Sequence, residues 1–225
     1  MGPGGDLIST QQKALKKGAQ AVQPMKLGLY ARLFKRFVDI SVSTVFLLIF
    51  AVMFIFLALA IVIDTKGPVI YTQVRIGRRR RPFKVYKLRT MIEGAHALAA
   101  VPPANGSPFV QRENDPRVTR VGRFLRRFSI DEFPQFINVL KGDMSVIGPR
   151  PFIPEEAQVI GEEYHARYSV RPGLTGYAQI NGRNDLTLEE RMAYDLYYVE
   201  HLSASLDVEI LLKSVFVVLR RDGAY

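Results

Sequence analysis

The chain of 225 residues contains no cysteine and only three histidines. The absence of cysteine excludes disulfide bonds, thiolate nucleophiles and cysteine-ligated zinc, and it is compatible with a domain that faces the reducing cytosol. His96, His165 and His201 do not have a spacing at which two imidazoles bind one metal ion. Any catalysis therefore depends on carboxylates and basic side chains rather than on thiol or imidazole chemistry.

Glycine, proline and charged residues are all missing from Ile40 to Ile63, a run of 24 residues. About 20 apolar residues are enough for a helix to cross the hydrocarbon core of a bilayer. The run follows a basic lead of 39 residues and is longer than the apolar part of a signal peptide, which argues against a cleaved signal. The sequence therefore predicts a membrane helix.

Basic residues lie on both sides of this run and contribute to a net charge of +10. Seven of them precede the run, and eight, with no acid between them, occupy Arg75 to Arg89. Because cytoplasmic segments carry the excess of Lys and Arg, a spanning helix would leave one basic flank on the wrong side. A re-entrant helix satisfies both flanks but needs a bend, which proline or glycine usually provides. The residues alone leave both topologies open, with the Arg75 to Arg89 block cytoplasmic in either.

An apolar content of 48% suits one folded domain beyond the membrane run. We expect a mobile basic tail at residues 1–34, a membrane helix region at 35–66 and a cytoplasmic domain at 67–225. Strand-like residues 69–72 and 83–86 flank an Ile76-Gly77 turn and predict a β-hairpin, and residues 92–116 read as a helix end and a loop. Helices are predicted at 121–128, 130–141, 154–167, after Thr187 and at 206–221. This is an α+β fold, mostly helical, whose last helix is too short to span and suits an interfacial position.

Asp131 and Glu132 are adjacent carboxylates at the predicted start of the helix over 130–141. Ser129 with Glu132 forms a capping-box pattern, although Pro134 falls later than the first helical position that proline prefers. Free backbone N–H groups and the positive dipole end at a helix start stabilise a carboxylate and attract phosphate oxygens. Asp131 is therefore a candidate nucleophile or metal ligand, while ordinary helix capping is the alternative explanation.

Several basic or glycine-punctuated segments are candidates for phosphate binding. Arg150 stands between Pro149 and Pro151, where a locked guanidinium suits bidentate recognition of phosphate. The segments 171–176 and 179–184 could present backbone N–H groups to a phosphate or nucleotide. Arg78 to Arg81 are best interpreted as an anchor for anionic lipid head groups, whereas Lys87 and Arg89, after a strand-like run, are better placed for substrate contact.

These motifs, in their order and spacing, resemble the monotopic phosphoglycosyl transferases, also called bacterial sugar transferases or polyprenyl-phosphate hexose-1-phosphate transferases. The resemblance covers roughly residues 35–225. The segments that carry it are Lys35-Arg36-Phe37-Val38-Asp39, Gln73-Val74-Arg75-Ile76-Gly77, Tyr86-Lys87-Leu88-Arg89-Thr90-Met91, Asp115-Pro116-Arg117, Ser129-Ile130-Asp131-Glu132, Gly142-Asp143-Met144-Ser145, Gly148-Pro149-Arg150-Pro151, Arg171-Pro172-Gly173-Leu174-Thr175-Gly176 and Asn181-Gly182-Arg183-Asn184.

The resemblance implies transfer of a sugar 1-phosphate from a nucleotide diphosphate sugar, usually a UDP-sugar, to polyprenol phosphate. Asp131 would be the nucleophile of a phosphosugar-aspartyl intermediate, with release of UMP, and Glu132 would help it to hold Mg²⁺. Arg150 would bind a phosphate. Lys87, Arg89, Gln179 and Arg183 would contact the substrate. The residues 67–225 would then be the catalytic domain of an enzyme that begins surface or exopolysaccharide glycan assembly.

The resemblance also implies a location on the cytoplasmic face of the inner membrane, with a re-entrant helix preferred and the last helix on the interface. Where the family carries a small residue and proline that bend the membrane helix, a gap-free count places Val52-Met53 in this chain. The chain also lacks the multi-span N-terminal region of larger relatives, so a minimal enzyme is expected. Expected partners are nucleotide sugar, polyprenol phosphate and membrane lipid, and a homodimer is left open.

Two alternatives belong to other functional classes. The first is a membrane-bound phosphohydrolase that uses Asp131 as nucleophile and water as acceptor. The second is a non-enzymatic, membrane-tethered binder of anionic lipid or nucleic acid through the Arg75 to Arg89 block. Nucleic acid is disfavoured as a partner because this block lies close to the membrane run and lacks the interleaved aromatic residues that stack on bases.

Overall fold

A computed structural model describes residues 28, 30, 34–95, 115–182 and 185–220. The helices are α1 (Lys35–Asp64), α2 (Arg120–Arg127), α3 (Gln135–Lys141), α4 (Pro154–Gln158), α5 (Tyr177–Ile180), α6 (Leu188–Glu200) and α7 (Ala204–Arg220). The strands are β1 (Ile70–Ile76), β2 (Pro82–Leu88), β3 (Ser145–Ile147) and β4 (Gly173–Thr175), and 3₁₀ segments cover Arg78–Arg80, Ile130–Glu132 and Glu162–Ser169. The predicted α+β class, mostly helical with small sheets, is confirmed. The predicted tail over 1–34, apart from residues 28, 30 and 34, and most of the predicted loop over 92–116 lie outside the described residues.

The helix α1 is one uninterrupted element of 30 residues, roughly 45 Å long at about 1.5 Å per residue. A single stripe of side chains, three or four residues apart, packs against the domain: Lys35, Asp39, Ser43, Phe46, Phe50, Phe54, Leu57 and Ile61. The remaining face is apolar and exposed, with Leu48 and Phe56 69% and 71% accessible. Within the described residues, α1 is the one helix long and apolar enough to cross a membrane, and it continues through Val52-Met53 without the bend that the resemblance implied.

The start of α1 is bonded to the domain by two buried charged residues. Lys35 Nζ lies 2.6 Å from Oδ2 of Asp207, in the first turn of α7. One turn later, Asp39 Oδ1 accepts hydrogen bonds from the Ser145 hydroxyl and the Val146 amide of β3, both at 2.9 Å. These contacts attach the beginning of α1 to both α7 and β3.

The end of α1 is bonded to the same domain. Asp64 Oδ2 accepts a hydrogen bond of 2.9 Å from the Val121 amide at the start of α2. Arg89, just after β2, donates to the carbonyls of Thr65, at 2.7 Å, and Lys66. Because the guanidinium of Arg89 satisfies carbonyls at a helix end, it supplies a cation where the helix dipole is negative.

The hairpin of β1 and β2 confirms the sequence prediction, with longer strands than expected. The two strands pair antiparallel from Ile70 with Leu88 to Ile76 with Pro82. Asn138 of α3 is fully buried and joins the hairpin through its side-chain amide, which donates to the Lys84 carbonyl at 2.7 Å and accepts from the Tyr86 amide at 3.1 Å. This bonding sets the position of α3 relative to β2.

The main core lies where α3, β3, α6 and α7 meet. The strands β3 and β4 pair in parallel, Ser145 with Gly173 and Ile147 with Thr175. The side chains packed around them are buried: Val139, Met144, Val146, Ile147, Tyr198, Val199, Leu206 and Ile210. The second core cluster joins α1 to α2 and the hairpin through Phe50, Ile61, Leu88 and Leu125.

The single helix predicted over 130–141 is wrong. The chain forms the 3₁₀ segment Ile130–Glu132, and α3 begins only at Gln135, with Pro134 as its N-cap. Proline has no N–H to donate, so a helix beginning at Ile130 would lose a hydrogen bond there. The apolar side chains of α3 do not all pack in the core. Phe136 packs on Phe46 at a ring distance of 4.0 Å, whereas Ile137 is 43% exposed.

Three further helix predictions have mixed outcomes. The helix predicted over 154–167 is wrong in its length, because α4 ends at Gln158 and the 3₁₀ segment Glu162–Ser169 follows Gly161. The helix predicted after Thr187 is confirmed as α6. Thr187 and Glu190 form a capping box at its start, with reciprocal hydrogen bonds of 3.2 and 2.9 Å. The last helix is confirmed as Ala204–Arg220.

Candidate active site

Three separate segments bring Lys87, Asp131, Glu132 and Arg150 together. Lys87 lies near the end of β2, the two acids lie in the 3₁₀ segment Ile130–Glu132, and Arg150 lies in the turn after β3. Lys87 Nζ is 2.7 Å from Glu132 Oε1, and Arg150 Nη2 is 3.0 Å from the same oxygen. The structure thus assembles the two predicted catalytic residues with two of the predicted substrate residues.

The two carboxylates diverge because of the backbone before them. Ser129 has left-handed dihedral angles, φ 55° and ψ 23°, and its side chain makes no capping hydrogen bond. Its carbonyl accepts from the Glu132 amide at 3.2 Å instead, so the predicted capping box is wrong. In a 3₁₀ turn, with about three residues per turn, successive side chains point roughly 120° apart. Asp131 and Glu132 therefore have different partners although they are adjacent in sequence.

Glu132 is held in its ionised form by two cations. Burial by itself would raise the pKa of the Glu132 carboxyl, but the charges of Arg150 and Lys87 and their hydrogen bonds outweigh burial and lower it well below its usual value. The same carboxylate raises the pKa of the Arg150 guanidinium. Glu132 therefore fixes the two cations in place.

Asp131 is buried but is not tied to a hydrogen-bond donor within the described residues. Its side chain lies 4.0 Å from Lys87 Nζ, and the residue is only 8% exposed. Burial raises the pKa of the Asp131 carboxyl; the charge of Lys87 opposes this shift and the neighbouring Glu132 adds to it. A carboxylate with unengaged oxygens, poorly solvated and beside fixed cations, has the properties of a nucleophile toward a phosphorus atom.

The donor set of this site fits Mg²⁺ only if the substrate completes the coordination. No group of three or more acidic or histidine side chains that could hold a metal ion occurs in the described part of the chain. Mg²⁺ is commonly bound by one or two carboxylates together with substrate phosphates. Asp131 could supply such a ligand, and Glu132 could add its second oxygen, because Lys87 and Arg150 both bond Oε1. An ion held there would neutralise charge on a diphosphate.

The backbone of Arg150 is held by an ion pair that the sequence did not reveal. Arg167 Nη2 donates to the Arg150 carbonyl at 2.8 Å, and the same guanidinium bonds Oδ2 of Asp195 in α6 at 2.7 Å. Both members of this pair have only 2% of their side chains exposed. Arg167 and Asp195 are 28 positions apart in the sequence and form no motif, so no local signal identified them.

Arg75 holds the next peptide of the same turn. Its Nη1 donates to the Pro151 carbonyl at 3.1 Å, and its Nη2 donates to Gln73 Oε1 at 2.7 Å. Burial lowers the pKa of Arg75 to about 10, with a further contribution from the charge of Arg150. The strand β1 thus fixes the Arg150 turn from one side, and the Arg167 pair fixes it at the preceding residue.

Arg126 is a further residue of the site that sequence reasoning missed. It is the last residue but one of α2, its Nε donates to Thr90 Oγ1 at 2.9 Å, and its charge acts on Asp131. Burial lowers the pKa of Arg126, and Asp131 opposes that shift. The basic segment before Asp131 was visible in the sequence, but only the end of α2 decides which of its arginines reaches the carboxylate.

The other predicted substrate residues have different surroundings. Arg89 is 7% exposed and is engaged by the end of α1, so a substrate contact from it has no support in this geometry and stays a prediction. The amide of Gln179 is buried, and neither its Nε2 nor its Oε1 has a hydrogen-bond partner among the described residues. Arg183 lies outside the described residues.

The glycine-rich segment 171–176 packs beneath the Arg150 turn. The Gly173 amide donates to the Pro149 carbonyl at 3.0 Å, and the Gly148 amide donates to the Thr175 carbonyl at 2.9 Å. A Cβ at Gly173 or Gly176 would overlap the backbone of Gly148. In this structure the glycines permit close packing of two backbones, and a direct phosphate contact from them stays a prediction.

Comparisons with known proteins identify the family of the chain. The family model described as "Bacterial sugar transferase" matches residues 30–221, which include every described residue of the site. The chain belongs to the bacterial sugar transferase family. A bacterial sugar transferase from Salmonella typhimurium, named undecaprenyl-phosphate galactose phosphotransferase, is 40% identical over 203 residues, covering 87% of this chain and 42% of that protein.

Two further members of the family show the range of lengths. The UDP-glucose:undecaprenyl-phosphate glucose-1-phosphate transferase of Escherichia coli is 40% identical over 204 residues, or 86% of this chain and 42% of that protein. The uncharacterized sugar transferase EpsL of Bacillus subtilis is 36% identical over 189 residues, or 84% of this chain and 89% of that protein. The chain therefore spans less than half the length of the first two relatives and most of the third.

Proposed function

We propose that this bacterial sugar transferase moves a hexose 1-phosphate from a UDP-sugar to a polyprenol phosphate and releases UMP. The observation that carries the proposal is that the two adjacent acids are bonded differently. Glu132 is bonded to Lys87 and Arg150 at 2.7 and 3.0 Å, whereas Asp131 keeps its oxygens unengaged beside them. A diphosphate needs such an assembly of cations around one nucleophile.

In the first step, an oxygen of Asp131 attacks the phosphorus that bears the sugar. The new bond joins that oxygen to phosphorus, the bond from phosphorus to the bridging oxygen breaks, and UMP leaves with the electron pair. The side chains of Lys87 and Arg150 are placed to stabilise the negative charge that develops on the phosphate oxygens. The product is a phosphosugar-aspartyl enzyme.

In the second step, a phosphate oxygen of the polyprenol phosphate attacks the same phosphorus, and the bond to Asp131 breaks. The carboxylate is regenerated, and the product is a polyprenyl diphosphate sugar, the first lipid-linked intermediate of a surface or exopolysaccharide glycan. Because the two substrates react in turn at the same phosphorus, through one covalent intermediate on Asp131, a single site serves both of them. Gln179, with its unpartnered buried amide, and Arg183 are proposed to contact the nucleotide sugar.

The membrane location is proposed from the surface of α1. Its exposed face is apolar apart from Ser41 and Thr44 near its start, and burying such a face in lipid is favourable at about 25 cal/mol per Å². Both ends of α1 are bonded to one domain, through Asp207 and Val121. A helix that crossed the bilayer would place one of these contacts on the far side, so we propose that both ends stay on the cytoplasmic face.

Like the re-entrant alternative, this topology keeps both basic flanks of α1 on one side of the membrane. Unlike that alternative, it does not require α1 to bend. A continuous α1 that inserts shallowly, with its packed stripe toward the domain, satisfies the same constraint. The exposed apolar side chains of α7, among them Leu212 and Phe216 at 59% and 62% accessible, would lie on the same interface.

The decisive experiment is a UMP-release assay with several UDP-hexoses, with and without polyprenol phosphate. We expect full turnover only when the lipid is present, and a single stoichiometric burst of UMP without it. Continuous release of sugar 1-phosphate without lipid would instead identify the phosphohydrolase. The preferred UDP-sugar in this assay identifies the hexose.

A further inference from the structure

A second cluster of basic side chains lies around the start of α1, at the opposite end of α3 from Glu132. Lys35, Arg78 and Arg171 line one cavity of about 20 Å³ together with Asp39 and Ser145. Arg36 lies beside Gly142, the residue that follows α3, but its guanidinium is already engaged, because it donates to the carbonyls of Val139 and Leu140 at 2.6 and 2.9 Å. None of these residues has a part in the reaction proposed above.

Two guanidiniums of this cluster are fixed through one nitrogen each. Arg78 Nε donates to the Ser169 carbonyl at 2.9 Å, and Arg171 Nε donates to the Gly142 carbonyl at 2.8 Å. Within the described residues, the Nη groups of Arg78 and Arg171 make no hydrogen bond. Each side chain is therefore held in direction while the pair of nitrogens that matches phosphate geometry stays available.

The acids near the cavity are committed to other partners. Asp39 accepts hydrogen bonds from Ser145 and Val146, and Asp207 is paired with Lys35 at 2.6 Å. Burial lowers the pKa of Arg171, and the charges of Arg36 and Arg78 lower it further, while the carboxylate of Asp39 opposes this shift only in part. An anion in the cavity would relieve the repulsion among these arginines.

The cavity lies where the apolar surface of the molecule begins. Phe37 and Val38, directly after Arg36, are 70% and 48% exposed and open the lipid-facing side of α1. Water-sized atoms can occupy about 20 Å³ of the cavity, which is room for one or two phosphate oxygens beside the two guanidiniums.

We propose that Arg78 and Arg171 bind the phosphate of an anionic phospholipid head group at the start of α1. The proposal rests on the membrane location proposed above. It also distinguishes between the members of the run Arg78 to Arg81, which the sequence predicted to be one lipid anchor. Arg78 belongs to the cavity, Arg80 turns to His165 at 2.9 Å, and Arg79 and Arg81 are exposed.

The experiment titrates a short-chain phosphatidylglycerol, below its micelle concentration, into the full-length chain in neutral detergent. We expect saturable binding to the unsubstituted chain and a rise in Kd of about tenfold in Arg78→Gln and in Arg171→Gln, because charge-assisted hydrogen bonds are lost. Arg79→Gln removes the same charge from the next residue and is the matched control, with an expected change within about twofold because it acts only through screened charge.

The double variant R78Q/R171Q separates a shared site from general attraction. If both arginines hold one phosphate, the double variant loses little more than either single variant, whereas independent charges give losses that multiply. Equal effects of Arg79→Gln and Arg78→Gln, or losses that multiply, would overturn the proposal. So would inorganic phosphate binding as tightly as the lipid, because the site would then recognise a soluble anion.

A variant that keeps the charge, together with melting temperatures, distinguishes loss of the site from loss of folding. Arg78→Lys retains a cation but not the paired nitrogens. A specific phosphate site predicts weaker binding in this variant, whereas general attraction by surface charge predicts unchanged binding. The melting temperature of each variant is measured in parallel. Membrane association through α1 is measured separately by flotation with phosphatidylcholine vesicles, so failure of the site and failure of the membrane location give different results.

Discussion

At the scale of single residues, Asp131 and Glu132 are chemically alike but differ in their surroundings. Glu132 is bonded to both Lys87 and Arg150, while Asp131 is buried without a hydrogen-bond donor among the described residues. Changing either residue to its amide keeps the shape and removes the charge. The two substitutions are therefore a direct comparison of the proposed roles.

Asp131→Asn is expected to abolish turnover because the amide cannot form the phosphosugar intermediate. Glu132→Gln is expected to leave a small residual activity, since Lys87 and Arg150 lose their common partner but the nucleophile remains. Both are measured as lipid-dependent UMP release, with the melting temperature as the control for folding. Equal and mild losses in the two variants would contradict the assignment of Asp131 as nucleophile.

The pH dependence of the rate is expected to report the ionisation of Asp131. The pKa of Asp131 is raised by burial, so its protonated, inactive form persists to a higher pH than for an exposed aspartate, and activity falls as the pH drops through that raised value. Lys87 lowers the pKa of Asp131, so Lys87→Met is expected to move the acid limb of kcat/KM to higher pH.

Lys84→Met is the matched control for that profile. Lys84 lies three residues earlier on β2 and is exposed, so its loss leaves the charges around Asp131 in place. An acid limb that stays where it is in Lys87→Met would show that another group controls the profile.

At the scale of elements, the position of Arg150 depends on parts of the chain that are distant in sequence. β1 contributes Arg75, the 3₁₀ segment Glu162–Ser169 contributes Arg167, and α6 contributes Asp195. The first two bond consecutive carbonyls of one turn. The turn is thus rigid because three elements converge on it, in addition to the flanking prolines seen in the sequence.

Asp195→Asn is expected to destabilise the fold by about 3–5 kcal/mol, because it leaves the buried guanidinium of Arg167 without its counter-charge. The measurement is the free energy of unfolding. Lys213→Ala breaks an exposed pair with Glu209 on α7 and is expected to cost only about 0.5 kcal/mol. A similar small change in both variants would contradict a structural role for the buried pair.

At the scale of the whole molecule, α1 behaves as part of the domain rather than as a detached anchor. Its packed stripe runs from Lys35 to Ile61, and its two ends contact α7 and α2. The aromatic contacts in the middle join the same stripe to the residues that follow the acidic pair, with Phe46 and Phe133 at a ring distance of 4.6 Å. The helix that carries the proposed lipid-facing surface is therefore in direct contact with the segment of the proposed catalytic site.

A label at residue 5 is expected to be protected in intact cells, because both flanks of α1 are proposed to stay on the cytoplasmic face. The chain has no cysteine, so Gly5→Cys and Asn105→Cys each introduce a single target for a membrane-impermeant thiol reagent. We expect both to react only after permeabilisation. Reaction of Gly5→Cys in intact cells, with Asn105→Cys still protected, would establish a spanning helix.

Much of the molecule could be predicted from local sequence signals. The apolar run predicted α1, alternation and a turn predicted the hairpin, and Thr187 with Glu190 predicted the start of α6. These features depend on residues close in the chain. The helix over 130–141 was predicted wrongly because the left-handed Ser129 and the proline after the pair act together, and no periodicity shows that combination.

The sequence by itself determined which chemistry was available: two adjacent carboxylates, a surplus of arginine and lysine, no thiol, and one long apolar helix. Only the tertiary structure decided which cations surround the carboxylates, because that choice depends on contacts between β2, the 3₁₀ segment Ile130–Glu132 and the turn after β3. The tertiary structure also shows that Arg89 bonds the end of α1, and that Arg75, Arg126 and Arg167 lie around the proposed site. The physical reason is that burial and charge pairing depend on distances across the fold, and local spacing does not contain them.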